Sequence, residues 1–78
     1  MVMVIPLTQL APGQEGVVGV VELQTKYALR LAELGIRPGI GLTMIQRTSG
    51  GGIVVKSQGS RIALDRGTAT SIAIEVQG

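Results

Sequence analysis

The chain has 78 residues, of which 45% are hydrophobic and 15% are charged, and its net charge is +2. We expect one domain over residues 1–78, because the chain is short and its composition is far from that of disordered proteins. The absence of cysteine and histidine excludes disulfides and His/Cys metal sites. No apolar run approaches the roughly 18–20 residues that span a bilayer, and no basic segment leads into Met1–Ile5. We therefore expect no membrane insertion and a cytoplasmic location.

A loop and a strand are the first predicted elements. Residues 6–15 contain turn-forming residue types and favour a leading loop. Gly16–Glu22 is rich in β-branched valine, which favours a strand over a helix. Gly19 inside this strand indicates a β-bulge or a close approach of another backbone.

A short helix that ends at Gly35 is predicted next. We expect Thr25 to cap its N-terminus and four residues at helical spacing to share its inner side: Tyr27, Ala28, Leu31 and Leu34. Gly35 suits the left-handed conformation that commonly ends a helix. Pro38-Gly39 then supplies the backbone angles of a type II turn. Gly35, Pro38 and Gly39 are therefore predicted to be structural turn and cap residues.

The second half of the chain predicts four more strands separated by glycine-containing turns. These strands are Gly41–Thr48, Ile53–Gln58, Arg61–Leu64 and Ser71–Val76. Gly59-Ser60 is predicted to turn the chain between the second and the third of them. Alternation places the following apolar residues on one face of their strands: Leu42, Met44, Ile53, Val55, Ile62, Leu64, Ile72, Ile74 and Val76. Ser49–Gly52 is expected to be a flexible hairpin tip, and residues 65–70 a break or a single helical turn. Five short strands and one inserted helix favour a mainly β fold, a small barrel whose closure would leave no open edge.

Several short motifs lie in a fixed order from about Leu7 to Val76. They are Leu10-Ala-Pro-Gly13 followed by Gly16, Leu31-Ala-Glu-Leu-Gly35, Arg37-Pro-Gly39, Gly59-Ser-Arg-Ile-Ala-Leu64 and Ile72-Ala-Ile-Glu-Val76. Together they resemble the FeoA family, small cytoplasmic partners of the bacterial ferrous iron transporter FeoB. The resemblance implies an SH3-like β-barrel crossed by a short helix. It also implies a non-enzymatic accessory or regulatory role in ferrous iron uptake, through contact with FeoB at the inner face of the membrane.

The central hairpin departs from the family pattern. FeoA-like sequences often carry a segment resembling Ala-Pro-Leu-Gly-Asp-Pro there, whereas this chain has Thr48-Ser-Gly-Gly-Gly-Ile53. We expect a more mobile tip, and a partner contact made there in relatives does not carry over.

The residue types argue against metal, cofactor and catalytic sites. Acidic residues are scattered one to an element, without the imidazole that ferrous sites usually add: Glu15, Glu22, Glu33, Asp65 and Glu75. Met44 is expected in the core. No histidine is present to activate a hydroxyl nucleophile. Gly50–Gly52 leads into a strand rather than a helix that opens with Gly-Lys-Ser/Thr, so a phosphate loop is not favoured. We predict no enzyme activity, cofactor or small-molecule substrate.

The outer side of the helix and its neighbouring turn form the predicted partner-binding surface: Lys26, Arg30, Glu33, Ile36 and Arg37. The alternative is that the charges are merely solvated and that Ile36 packs in the core beside Leu34.

Two other functions stay open. A small basic barrel could bind nucleic acid through Arg37, Arg47, Arg61 and Arg66, although one tyrosine cannot build a base-stacking platform. A continuous basic patch, or retention on RNA or DNA at moderate salt, would support it. A metal-responsive module, similar to the C-terminal domain of DtxR-type repressors, would require Fe(II) or Mn(II) binding. Pairing of an exposed strand leaves a homo-oligomer open as well.

Overall fold

The computed structural model describes residues 1–77, which form a six-stranded sheet with two short helices. The strands are β1 (Val2–Pro6), β2 (Glu15–Val21), β3 (Gly41–Arg47), β4 (Ile53–Ser57), β5 (Ser60–Leu64) and β6 (Ile72–Gln77). The helices are α1 (Thr25–Glu33) and α2 (Arg66–Thr70), and two 3-10 turns cover Leu7–Gln9 and Ser49–Gly51. Every neighbouring pair is antiparallel, and the order across the sheet is β1-β6-β2-β3-β4-β5.

The mainly β fold class is confirmed, with two differences. The apolar start of the chain forms a sixth strand, β1, which pairs with β6 along its whole length. Pro6 ends this strand, a place where its missing N–H is tolerated. Closure was predicted wrongly: within residues 1–77, β1 and β5 are not paired with each other. The sheet therefore has two open edges.

The core is built from alternating positions of the strands. The predicted inward residues are buried on β3 to β6: Leu42, Met44, Ile53, Val55, Ile62, Leu64, Ile72, Ile74 and Val76. Leu7 and Leu10 join them with no exposed surface, although they lie in the predicted loop. The Arg47 guanidinium fastens this segment to β3, because it donates to the carbonyls of Thr8 and Leu10 at 3.0 Å each.

Strand β2 lies between β3 and β6 and pairs with each of them over a different part of its length. Glu15–Val17 pairs with β3, and Val17–Val21 pairs with β6. The register shifts between Val18 and Val21, which confirms the irregularity predicted at Gly19. At Gly16, an added Cβ would collide with the Ile74 Cγ2 atom and lie 3.1 Å from the Glu75 carbonyl oxygen. This close approach explains a glycine inside the strand.

Of the two turns that flank β5, the first differs from its prediction and the second agrees with it. The β4–β5 hairpin turns at Gln58-Gly59, both with positive φ (51° and 82°), rather than at Gly59-Ser60. Positive φ at both central residues matches the right-handed twist of the flanking strands. The predicted helical turn after β5 is α2. Its N-cap, Asp65, accepts a 2.7 Å hydrogen bond from the Thr68 N–H, which lowers the pKa of the Asp65 carboxyl.

Gly16→Ala should lower the free energy of unfolding by about 1–3 kcal/mol, because the new methyl group must displace the buried Ile74 side chain. Urea denaturation measures the difference. Gly41→Ala is the matched control, since its Cβ would lie 3.9 Å from the nearest atom, the Gly16 carbonyl oxygen. Equal losses in both variants would contradict the close packing of β2 on β6.

Acid should weaken the cap of α2. A lowered pKa means that the ionised Asp65 stabilises the fold above its ordinary value of 3.8, and that this contribution disappears as pH falls through the lowered pKa. Asp65→Asn keeps a side-chain acceptor but does not titrate. We expect the melting temperature of the unsubstituted chain to fall more steeply than that of Asp65→Asn below pH 3.8. Melting temperatures that fall in parallel for the two chains from pH 6 to 2 would contradict the role of the Asp65 cap.

Candidate partner-binding surface

The C-terminus of α1 is closed by a Schellman motif. The Ile36 N–H donates to the Leu31 carbonyl at 2.9 Å, and the Gly35 N–H donates to the Ala32 carbonyl at 3.0 Å. Gly35 has a φ of 100°, in the left-handed region that favours glycine. The motif brings Leu31 and Ile36 to the same place, and both side chains are buried. The helix therefore ends and joins the core at one point.

A tight turn then ties this end of the helix to the sheet. The Ile40 N–H donates to the Arg37 carbonyl at 3.1 Å, and Gly39 has a φ of 91°. The Gly39 N–H donates to the Val18 carbonyl at 2.8 Å, and the Val18 N–H donates to the Ile40 carbonyl at 2.9 Å. These bonds fix residues 37–40 against β2.

A second attachment comes from the β4–β5 hairpin. The Ser57 hydroxyl, which is buried, donates to the Gly35 carbonyl at 3.1 Å. An added Cβ at Gly35 would lie 3.1 Å from the Gln58 Oε1 atom. The helix end is thus held between β2 and the hairpin.

The beginning of α1 is less firmly held than predicted. Thr25 is the first helical residue rather than the cap, and the N-cap position is Gln24, whose side chain makes no capping hydrogen bond. The predicted inner side is also wrong in part, since of the nine residues of α1 only Leu31 is buried. Leu34 and Tyr27, which were predicted on the inner side, are about half exposed. One side chain and the Schellman end therefore hold α1.

The predicted surface residues divide into two groups. Lys26, Arg30, Glu33 and Arg37 are exposed. Ile36 is 1% exposed and lies in the core, so the prediction that its side chain belongs to the outer surface is wrong. The reason is its place in the Schellman motif, where the residue after the glycine packs back on the helix.

Sequence reasoning missed the apolar part of this surface. Leu29 in α1 is 59% exposed and Leu34, the residue after the helix, is 51% exposed, beside the exposed charged side chains. The Lys26 ammonium lies 5.1 Å from the centroid of the Tyr27 ring, within cation–π distance. We name the exposed set the helix-end surface: Lys26, Tyr27, Leu29, Arg30, Glu33, Leu34 and Arg37. The exposure of Leu29 could have been predicted from the sequence, because helical spacing places it too far around the helix from Leu31 to reach the core.

An open groove of about 600 Å³ lies beside the helix. Its lining comes from the valine-rich strand β2, the helix and the tight turn, and includes Val20, Ala28 and Pro38. Val20 is exposed, and Glu75 supplies the charged group in the lining. A partner that contacts the helix-end surface could place an apolar side chain here.

The rest of the described chain offers little else for a functional site. Among residues 1–77, no three histidine, cysteine or acidic side chains come together as a metal-binding group. A larger depression of about 780 Å³ on β2, β3, β4 and β6 includes Glu15, Lys56 and Glu75, of mixed charge. Neither helix between residues 1 and 77 has the length and apolar character needed to cross a membrane.

A family model described as FeoA domain matches residues 5–76. The fold and this family define a small SH3-like domain associated with ferrous iron transport. The chain belongs to the FeoA family, an accessory family of iron transport that is not known as a family of enzymes. The resemblance expected from its motifs is confirmed.

Solved structures agree with this family. An iron uptake regulatory protein (FeoA) is 25% identical, with 95% of this chain and 100% of that chain covered and a TM-score of 0.85. FeoA of Stenotrophomonas maltophilia in complex with zinc is 28% identical, with coverages of 90% and 88% and a TM-score of 0.72. It is described as an SH3 domain protein and a candidate activating factor of ferrous iron transport.

Similarity also extends to a repressor, at the level of fold alone. A manganese-dependent transcriptional repressor is 22% identical, with 99% of this chain and 44% of that chain covered and a TM-score of 0.83. No curated protein sequence matches this chain.

Gly35→Val should lower the free energy of unfolding by at least about 1 kcal/mol, since valine disfavours positive φ and its Cβ would press on Gln58. Chemical denaturation measures the loss. Gly67→Ala in α2 is the control, because the nearest atom to its Cβ lies at an ordinary contact distance of 3.7 Å. An unchanged stability of Gly35→Val would remove the helix-stop argument.

Proposed function

We propose that this protein is a cytoplasmic accessory protein of ferrous iron uptake that binds the cytoplasmic region of a FeoB-type transporter through its helix-end surface. It acts by protein–protein contact and performs no catalysis. Binding to FeoB would bring it to the inner face of the cytoplasmic membrane without insertion.

The observation that carries the proposal is the composition of the helix-end surface. Exposed Leu29 and Leu34 supply apolar area, which interface centres use, and the surrounding charges supply orientation. The set contains three basic residues, Lys26, Arg30 and Arg37, and one acidic residue, Glu33. A surface of net positive charge fits a partner region with exposed acidic residues.

The rigid attachment of this surface supports the same role. Arg37 donates to the Ala32 carbonyl at 3.3 Å, and the Schellman motif and tight turn hold the backbone on both sides of it. Side chains on a fixed backbone lose less entropy on binding than side chains on a mobile loop. The surface is therefore preorganised at its C-terminal end.

The observed contacts favour a protein partner over nucleic acid. Arg47 is engaged with two backbone carbonyls, and the helix-end arginines lie among exposed leucines and an acidic residue. A phosphate-binding surface would instead need a continuous basic stripe.

The test is binding of the purified chain to FeoB from the same organism, as the full-length transporter and as its isolated cytoplasmic region. Each would be measured with GDP and with a GTP analogue. We expect saturable binding that Arg30→Glu weakens at least ~10-fold, as expected for a charge near the centre of an interface. A difference between the nucleotides would add regulation by the nucleotide state of FeoB.

Arg66→Glu is the matched control, because it makes the same charge change at an exposed position of α2, beside Gly51 at the end of β4 opposite to Ser57. Its affinity should change less than ~2-fold. Equal losses in both variants would mean a general electrostatic effect. Absence of binding at tens of micromolar in every nucleotide state would overturn the proposal.

A further inference from the structure

The two open edges of the sheet differ in chemistry. Edge strands expose unpaired backbone N–H and C=O groups, and proteins commonly protect them with charged side chains. Strand β5 carries the exposed Arg61, which pairs with another cation, Lys56, on β4. Strand β1 contains no charged residue, and Val2 and Val4 are 52% and 64% exposed. Strand β1 is therefore an unprotected, apolar edge.

The register with β6 shows which face each β1 side chain occupies. Met3 lies opposite Val76 and Ile5 lies opposite Ile74, and both β6 residues are buried. Opposed residues in an antiparallel pair share a face, so Met3 lies on the core face of the sheet. It is nevertheless 49% exposed. The core face of the sheet thus continues, uncovered, to the edge.

We propose that two copies of this chain associate by antiparallel pairing of their β1 strands, centred on Met3. A two-fold axis between antiparallel strands keeps each residue on the same face of the sheet in both copies. Opposed residues must share a face, whereas neighbouring residues in a strand lie on opposite faces. The axis must therefore pass through a pair formed by one residue and the same residue of the second copy. Centring on Val4 would bring Pro6, which has no N–H, opposite Val2. With Met3 at the centre, residues 2–4 of the two copies form the ladder, and Pro6 lies outside it.

A second copy fits this edge on three grounds. A strand from a second copy can pair with the free N–H and C=O groups of β1, which a helix or loop would leave unpaired. The sequence Val2-Met3-Val4 is symmetric about its centre, so every pair across the axis is apolar. No charge on β1 repels its copy. The two Met3 side chains meet on the core face and extend the hydrophobic core from one copy into the other.

The interface is small, so the dimer is weak. Three partly exposed residues on each copy bury less than the roughly 800 Å² per partner of standard interfaces. We expect a dissociation constant on the order of 10–100 µM. Sedimentation velocity from 1 to 500 µM measures it. Met3→Lys places two like charges on the axis and should raise the constant at least ~10-fold, whereas Leu29→Lys on α1, with the same charge change, should leave it unchanged.

Single-cysteine variants test the register, since the chain has no native cysteine. Opposed residues have Cα atoms about 4.5–5.5 Å apart, within disulfide range. Met3→Cys should therefore cross-link on mild oxidation at least ~10-fold faster than Val4→Cys, which lies opposite Val2, and faster than exposed Leu29→Cys. Unchanged melting temperatures of the variants show that each one folds.

Three outcomes would overturn the proposal. One is a monomer at all concentrations, which would mean that β1 pairs with a strand of another protein or stays unpaired. Another is a dimer that Met3→Lys does not weaken. The third is cross-linking of Val4→Cys or Leu29→Cys as fast as that of Met3→Cys. None of these results depends on FeoB binding, so the two proposals fail separately.

Discussion

The helix stop at Gly35 is the constraint on which the arrangement of this small fold depends. Its positive φ reverses the chain at the end of α1 and lets the next residue, Ile36, pack in the core beside Leu31. The following turn pairs with Val18 of β2, and Ser57 bonds to the Gly35 carbonyl. One glycine therefore connects the helix, the long strand and the β4–β5 hairpin.

The small number of contacts that hold α1 explains why the helix carries exposed apolar side chains. A nine-residue helix is marginal alone and needs tertiary packing, yet here Leu31 supplies the buried contact and the Schellman end supplies the rest. The side chains on the outer side of α1 are therefore not needed to hold the helix on the core. Leu29, Leu34 and the neighbouring charges can serve a partner without cost to the core.

The open sheet gives the fold a second surface of another kind. Strand β1 offers backbone hydrogen bonds and valine side chains, whereas α1 offers apolar and charged side chains on a fixed backbone. Membership of the FeoA family places those surfaces in the context of ferrous iron transport.

Local chemistry made much of this predictable. Alternation identified the buried residues of β3 to β6, Gly19 marked the bulge, and Leu31 to Gly39 marked the helix end, because each feature depends on neighbours in sequence. The exposure of Lys26, Arg30 and Glu33 was predicted for the same reason, since helical spacing turns them away from Leu31.

Only the tertiary structure decided the remaining features, since they depend on partners distant in sequence. Strand β1 exists because β6 pairs with it, and Leu7 and Leu10 are buried because the loop folds over the core. Leu29 and Leu34 stay exposed because Leu31 is the one residue of α1 that is buried in the core, and periodicity does not reveal how much of a helix the core covers. The sequence by itself determined strands β2 to β6, the helix stop and the family; the tertiary structure added β1 and decided which edges and apolar faces remain uncovered.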